Sequence, residues 1–182
     1  MKTIFEVINE HKVKLDAMVY CAGVDGTWPI KSNNTVLMQE MMNVNCFSFV
    51  EIAKNFYSVR NSNNGASIVA ISSISSKLND VGMSSYSASK AALNSYVKTM
   101  SKEFLRRKVR VNAILPSGVT TPMSKSKGVL LTEMSELHHE KENVGLGMIA
   151  PENIAKCVEF LLSEDAKYIT GELMTIGSGM AY

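Results

Sequence analysis

Tyr86 and Lys90 stand four residues apart, and Ser73 precedes the tyrosine by thirteen. On a helix, positions i and i+4 are neighbours, so the phenol and the ammonium would share one face. That pairing suits proton transfer. A free tyrosine, with a pKa near ~10, holds its proton too tightly at neutral pH, and a nearby cation favours the phenolate. The spacing alone is weak. With 6 Tyr and 15 Lys in 182 residues, chance gives roughly 0.5 such matches. A surface helix carrying an aromatic and a lysine would look the same. The elements that would position these side chains decide between the two readings.

Short apolar runs alternate with helical patterns, which predicts an α/β fold with a parallel sheet. Residues 2–12 read as the end of a helix, with Ile4, Phe5 and Ile8 on one face. Leu15–Tyr20 reads as a buried strand, and residues 25–34, with Gly26 and Pro29, as a loop. One long helix is expected from Thr35 to about Arg60, then a turn at 61–65 and a strand over Ala66–Ile71. A helix over about 84–107, capped by Ser84 or Ser85, carries Tyr86 and Lys90. A third strand spans Val109–Leu115, followed by a loop from Pro116 to Met123. Pro151 suits the first turn of a helix running to Leu162. Leu173–Ile176 is the last strand. In a parallel sheet, ligands bind beyond the carboxyl ends of the strands. Gly23, Ser73 and residues 116–121 all fall just past such ends. Ser73, Tyr86 and Lys90 therefore gain a common location, which favours chemistry over coincidence.

Composition narrows the classes. A content of 46% apolar and 20% charged residues fits a soluble globular chain, and the length suits one domain, 1–182. A net charge of +2 gives no case for nucleic-acid or membrane binding. No apolar run reaches the ~20 residues that span a bilayer, and the first residues lack a signal-peptide core. Cys21, Cys46 and Cys157 are odd in number and widely spaced, as reduced thiols in a cytoplasmic protein would be. His138-His139-Glu140 lacks His-Glu-x-x-His spacing and reads as a solvated polar stretch, so no metal site is expected. The 12 Met read as core filler.

Five stretches resemble the short-chain dehydrogenase/reductase family. Asp16 to Gly23 is similar to its Asn-Asn-Ala-Gly strand end, and Asn43-Val44-Asn45 to the helix motif bearing an active-site asparagine. Ile71-Ser72-Ser73 with Tyr86-Ser87-Ala88-Ser89-Lys90 follows its catalytic segment. Val111 to Met123 resembles its Pro-Gly loop, and Tyr168-Ile169-Thr170-Gly171-Glu172 its last conserved pattern. The resemblance implies a Rossmann-like parallel sheet with helices on both faces. It also implies an NAD- or NADP-dependent interconversion of a carbonyl and a secondary alcohol. Tyr86 would be the acid/base, with its pKa lowered by Lys90, and Lys90 would also hold the nicotinamide ribose. Ser73 would bind the substrate oxygen, and Asn45 would anchor a water leading from Lys90 to solvent. Ala22, Gly23, Pro116, Val119 and Thr121 would line the cofactor, with Gly23 on its adenosine side.

Some positions depart from that pattern. Cys21 stands for an Asn, Ser48 and Ser117 for glycines, and Gly177-Ser178-Gly179 for Asp-Gly-Gly. A larger departure is the absence of a Gly-rich turn anywhere in the sequence. Such a turn, opening a helix, holds the pyrophosphate in dinucleotide-binding folds. Leu15–Tyr20 aligns with the family's fourth strand, so the chain is expected to lack the first three. Weak cofactor binding and an uncovered strand edge at Leu15–Tyr20 follow. That edge, or the long helices, would pair with a second copy of the chain. The residues leave two readings open: an oxidoreductase acting on a small carbonyl or alcohol, or a non-catalytic relative that serves assembly. The region 124–148 is where the family places its substrate lid.

Overall fold

A computed structural model describes residues 4–123 and 145–179. The predicted lid and the His138-His139-Glu140 stretch fall mainly or wholly outside those residues. The sheet has four parallel strands in sequential order: β1 (Leu15–Tyr20), β2 (Ser62–Ile71), β3 (Arg110–Pro116) and β4 (Leu173–Ile176). Each crossover carries helical structure, as parallel pairing requires. Chain order and space order coincide, so β1 and β4 are the edges.

Helices cover both faces. On one side lie α1 (Ile4–Glu10), α3 (Ser48–Phe56) and α5 (Ser84–Glu103). There, Phe49, Phe56, Leu93 and Val97 pack on Ile68, Ala70, Val111 and Leu115, all fully buried. On the other side α6 (Pro151–Leu162) packs Ile154 and Leu161 onto Val69 and Ile114. The alternation along β2 and β3 sends successive side chains to opposite cores, and both strands are buried on both faces. Arg110 fixes α6 to the sheet by donating to the carbonyls of Leu161, Leu162 and Ser163 at the helix C-terminus, where a cation meets the negative end of the helix dipole.

Several sequence expectations need correction. The long helix predicted over 35–60 is interrupted. It runs as α2 (Thr35–Met42), a π-turn at Asn43–Phe47, and α3. Apolar periodicity continues through a π-turn, so the pattern does not reveal the extra residue. Residues 61–65 are not a free turn. Ser62 already pairs with Leu15, and an irregularity follows, with Gly65 at φ +80°. A positive φ suits glycine and lets the strand absorb extra residues without ending. A short helix, α4 (Ser75–Leu78), was not anticipated. Neither Ser84 nor Ser85 caps α5. Met83 holds the N-cap position without a side-chain bond, and both serine hydroxyls accept from Asn33 Nδ2 instead. The serines tie the 30–34 loop to α5, a tertiary role that local capping rules cannot foresee.

Asn112 was also missed. Fully buried in β3, it donates to Ile169 O and accepts from Glu172 N, at 2.9 and 3.0 Å. With the Thr170 hydroxyl on Val111 N, this pins the segment 168–172 against the sheet and aims β4.

Candidate active site

The carboxyl ends of β1, β2 and β3 open into a cavity of about 990 Å³, near the upper end of the usual range for small-molecule sites. β2 ends at Ile71, and Ser72 and Ser73 carry the chain over the sheet's end. Ile74 N bonds Pro116 O at 3.0 Å, which joins that bend to the end of β3. The Ser73 hydroxyl accepts from Ser75 N at 3.1 Å, and Ser73 is near enough to the Tyr86 phenol to favour its ionised form. Tyr86 and Lys90 lie one turn apart on α5, as i, i+4 spacing requires. Lys90 Nζ sits 5.8 Å from the centre of the Tyr86 ring and donates to Ile71 O at 3.0 Å. Ser73, Tyr86 and Lys90 all line the cavity.

Asn45 belongs to the wall behind them. It is fully buried in the π-turn. Its Oδ1 accepts from Val24 N at 2.8 Å, and its Nδ2 donates to Val24 O and to Ser89 Oγ, both at 2.9 Å. The side chain thus clasps the segment after β1 and ties it to α5, where Ser89 in turn donates to Tyr86 O. These side-chain bonds reach a segment distant in sequence and not the backbone of the helix that carries Asn45. Gly23 lies against this clasp. A Cβ at this position would lie 3.4 Å from both Asn45 Oδ1 and Lys90 Nζ. Gly23 therefore sits beside the lysine.

Of the other expected cofactor residues, Pro116, Val119 and Thr121 line the cavity together with Ser117 and Gly118. Ala22 is exposed and does not. Among the lining residues that were not anticipated are Asp25, Cys21, Ile74 and Met83. Asp25 falls in a segment that reads only as a loop, and its charge reaches Tyr86.

The electrostatics correct one expectation. Tyr86 was expected to have a lowered pKa. Burial instead pushes it up. Ser73 works against that and the Asp25 charge adds to it. The lysine bears the larger perturbation. Burial pulls Lys90 down to about 8, partly offset by Cys21 and Cys46. Taking an ammonium out of water disfavours its charged form, and one carbonyl contact does not restore what water supplied. At neutral pH the pair is therefore a protonated phenol beside an ammonium that releases its proton only slightly above neutrality.

The described residues supply polar groups suited to one end of a nicotinamide dinucleotide. At the Lys90 end Gly23 leaves the amine open beside the chain, and Ser117 Oγ is buried in the wall without a hydrogen-bond partner among the described residues. For the pyrophosphate, the sequence supplies no Gly-rich turn. No cluster of three or more metal-ligating side chains occurs among the described residues, and none of their helices is long and apolar enough to cross a membrane.

Comparison with known proteins agrees with this architecture. A family described as Enoyl-(Acyl carrier protein) reductase matches residues 1–181. A 3-oxoacyl-(acyl-carrier-protein) reductase of Aquifex aeolicus is 32% identical over 97% of this chain and 69% of its own length. A human protein of the same name is 29% identical over 99% of the chain and 72% of its length. Among solved structures, a short-chain dehydrogenase family protein of Francisella tularensis superposes with a TM-score of 0.84 at 24% identity, covering 97% of this chain and 74% of that one. A 4-hydroxyisoleucine dehydrogenase complexed with NADH gives 0.83 at 25% identity, over 97% and 72%. The chain belongs to the short-chain dehydrogenase/reductase family, and it is partial relative to these members.

Proposed function

We propose that this chain carries the proton-transfer half of an NAD- or NADP-dependent oxidoreductase that interconverts a carbonyl and a secondary alcohol. The observation that carries the proposal is that Ser73, Tyr86 and buried Lys90 line one cavity at the strand ends, with Lys90 Nζ 5.8 Å from the centre of the Tyr86 ring. Relatives named as reductases and a neighbour solved with NADH support it. A nicotinamide held there would supply the hydride chemistry. The protein's own groups do the rest. Ser73 holds the substrate oxygen by a hydrogen bond. Tyr86, kept protonated by burial, gives its proton to that oxygen as negative charge develops, which suits the reducing direction. Lys90, Gly23, Pro116, Val119 and Thr121 would hold the nicotinamide ribose and amide. Asn45 acts from behind, keeping the 23–24 segment against Lys90.

Titration with NADH and NADPH, followed by fluorescence, tests the reading. Saturable binding that weakens in Lys90→Met supports it. No binding at millimolar cofactor sinks it for this chain.

A second reading rests on a different observation. Strand β1 is an edge, and its Val19 is 41% exposed. An uncovered edge invites pairing. In this reading the chain works in an assembly, as a homo-oligomer joined through β1 or the helical face, in the cytoplasm. Sedimentation equilibrium of the wild type against a Val19→Lys variant tests it. A monomer in both removes the case for pairing through β1.

A further inference from the structure

Tyr86, Lys90 and Asn94 stand at i, i+4 and i+8 on α5, so their side chains share one stripe of the helix. Each meets the bend that follows β2. Tyr86 lies beside Ser73 at the cavity wall, and Lys90 donates to Ile71 O at 3.0 Å. Asn94 is buried (8% exposed) and lies behind the wall, outside the cavity lining. Its Nδ2 donates to Ser76 Oγ at 2.8 Å, and Ser76 Oγ donates to Ser73 O at 2.6 Å. The same carbonyl accepts from Ser76 N at a longer 3.2 Å. Ser73 Oγ meanwhile accepts from Ser75 N at 3.1 Å. Ser73 is thus held at its carbonyl from α5 and at its hydroxyl from α4. Its own hydroxyl proton is left for the cavity it lines.

Chemistry fixes the direction of this chain of bonds. A carbonyl only accepts, so the Ser76 hydroxyl gives its single proton to Ser73 O. Asn94 can then only donate to Ser76, which turns its amide oxygen away. That Oδ1 is buried with no hydrogen-bond partner among the described residues. An unpaired buried oxygen costs stability, and a leucine of similar size would carry no such cost. Fold stability alone therefore gives little reason for a polar residue at 94. We infer that Asn94 and Ser76 are positioning residues, a hydrogen-bonded strut from α5 that holds the Ser73 main chain so that its hydroxyl keeps one orientation at the cavity wall. The effect of the strut on turnover rests on the proposed oxidoreductase reading; its effect on the contact between Ser73 and Ser75 does not.

Hydrogen exchange of the Ser75 amide, followed by NMR, reads the Ser73 hydroxyl directly, because Ser73 Oγ is that amide's acceptor. Ser73→Ala sets the rate without the acceptor. In Asn94→Leu and in Ser76→Ala the amide exchanges several-fold faster than in the wild type, toward that limit. Ser76→Thr keeps the hydroxyl and the slow exchange. The melting temperature of Asn94→Leu stays level or rises, since the unpaired oxygen is gone. Val97→Ala, which weakens the core under the same helix, leaves the Ser75 amide slow. Unchanged exchange in either Asn94→Leu or Ser76→Ala, or equal acceleration in Val97→Ala, overturns the inference. Should Asn94→Leu fail to fold, Ser76→Ala with its threonine rescue carries the test. Kinetics adds a second readout, with ethyl acetoacetate as the probe carbonyl and NADPH as the reductant. Asn94→Leu lowers kcat about tenfold, leaves the cofactor KM unchanged, and has no further effect in a Ser73→Ala background. An equal fall in both backgrounds overturns the inference. A chain without turnover bears on the proposed function alone, and the exchange measurement still decides the strut.

Discussion

The two faces of the sheet are finished to different degrees. On the α5 side, Tyr20, Phe49, Phe56, Leu93 and Val97 form a closed core that spans β1 to β3. On the α6 side, burial reaches Val69 and Ile114, but Val19 on β1 and Phe160 on α6 remain 41% and 40% exposed. Every proposed catalytic side chain hangs from the finished side or from strand ends tied to it. The proton-transfer groups and the packing that holds them thus sit on one layer, while the other layer is left more open around β1.

Tyr86→Phe should have the largest effect. It removes the proton donor and keeps the packed ring, so carbonyl reduction should fall by about 10²- to 10⁴-fold. The melting temperature should barely change, and steady-state kinetics beside thermal unfolding reads both. A large stability loss instead would mean that the phenol serves the fold.

Phe56→Ala hollows the closed core and should cost about 3–5 kcal/mol. Val19→Ala on the open side should cost under about 1 kcal/mol. Urea denaturation of both variants breaks the comparison if the two costs are alike.

Lys90 sharpens it further. Its pKa in the folded state is about 8, against 10.5 ordinarily. Between those values the unfolded chain holds the extra proton, so folding gains stability as pH rises from about 8 to 10.5. Below about 8 the cost of the buried charge is fully present. Measured relative to Lys90→Met, the wild type should gain on the order of 3 kcal/mol across that window. A flat difference would mean that water already reaches the amine.

The mildest test is hydrogen exchange. The outward amides of β1 should exchange far faster than those of β2 and β3. Protection along β1 would show the edge covered by another chain and erase the contrast.

The sequence carried much of this. Strand positions followed from short apolar runs, and Tyr86, Lys90 and Ser73 were legible because α-helical spacing and strand ends are local rules. The π-turn was not legible, since an inserted residue leaves apolar periodicity almost unchanged. Asn112 looked like any polar residue in a strand, and its partners lie some sixty residues away. Tyr20 read only as the last residue of a buried strand, because nothing local says where its hydroxyl goes.

By itself, then, the sequence determined which groups stand at the strand ends and that no Gly-rich turn accompanies them. Those are facts of residue type and order. Tertiary structure decided how those groups titrate. Proximity of Lys90 suggested a lowered phenol pKa, but burial governs both partners, holding the Tyr86 proton and loosening that of Lys90. Desolvation depends on what every neighbouring element covers, and no pair of residues in a sequence specifies that.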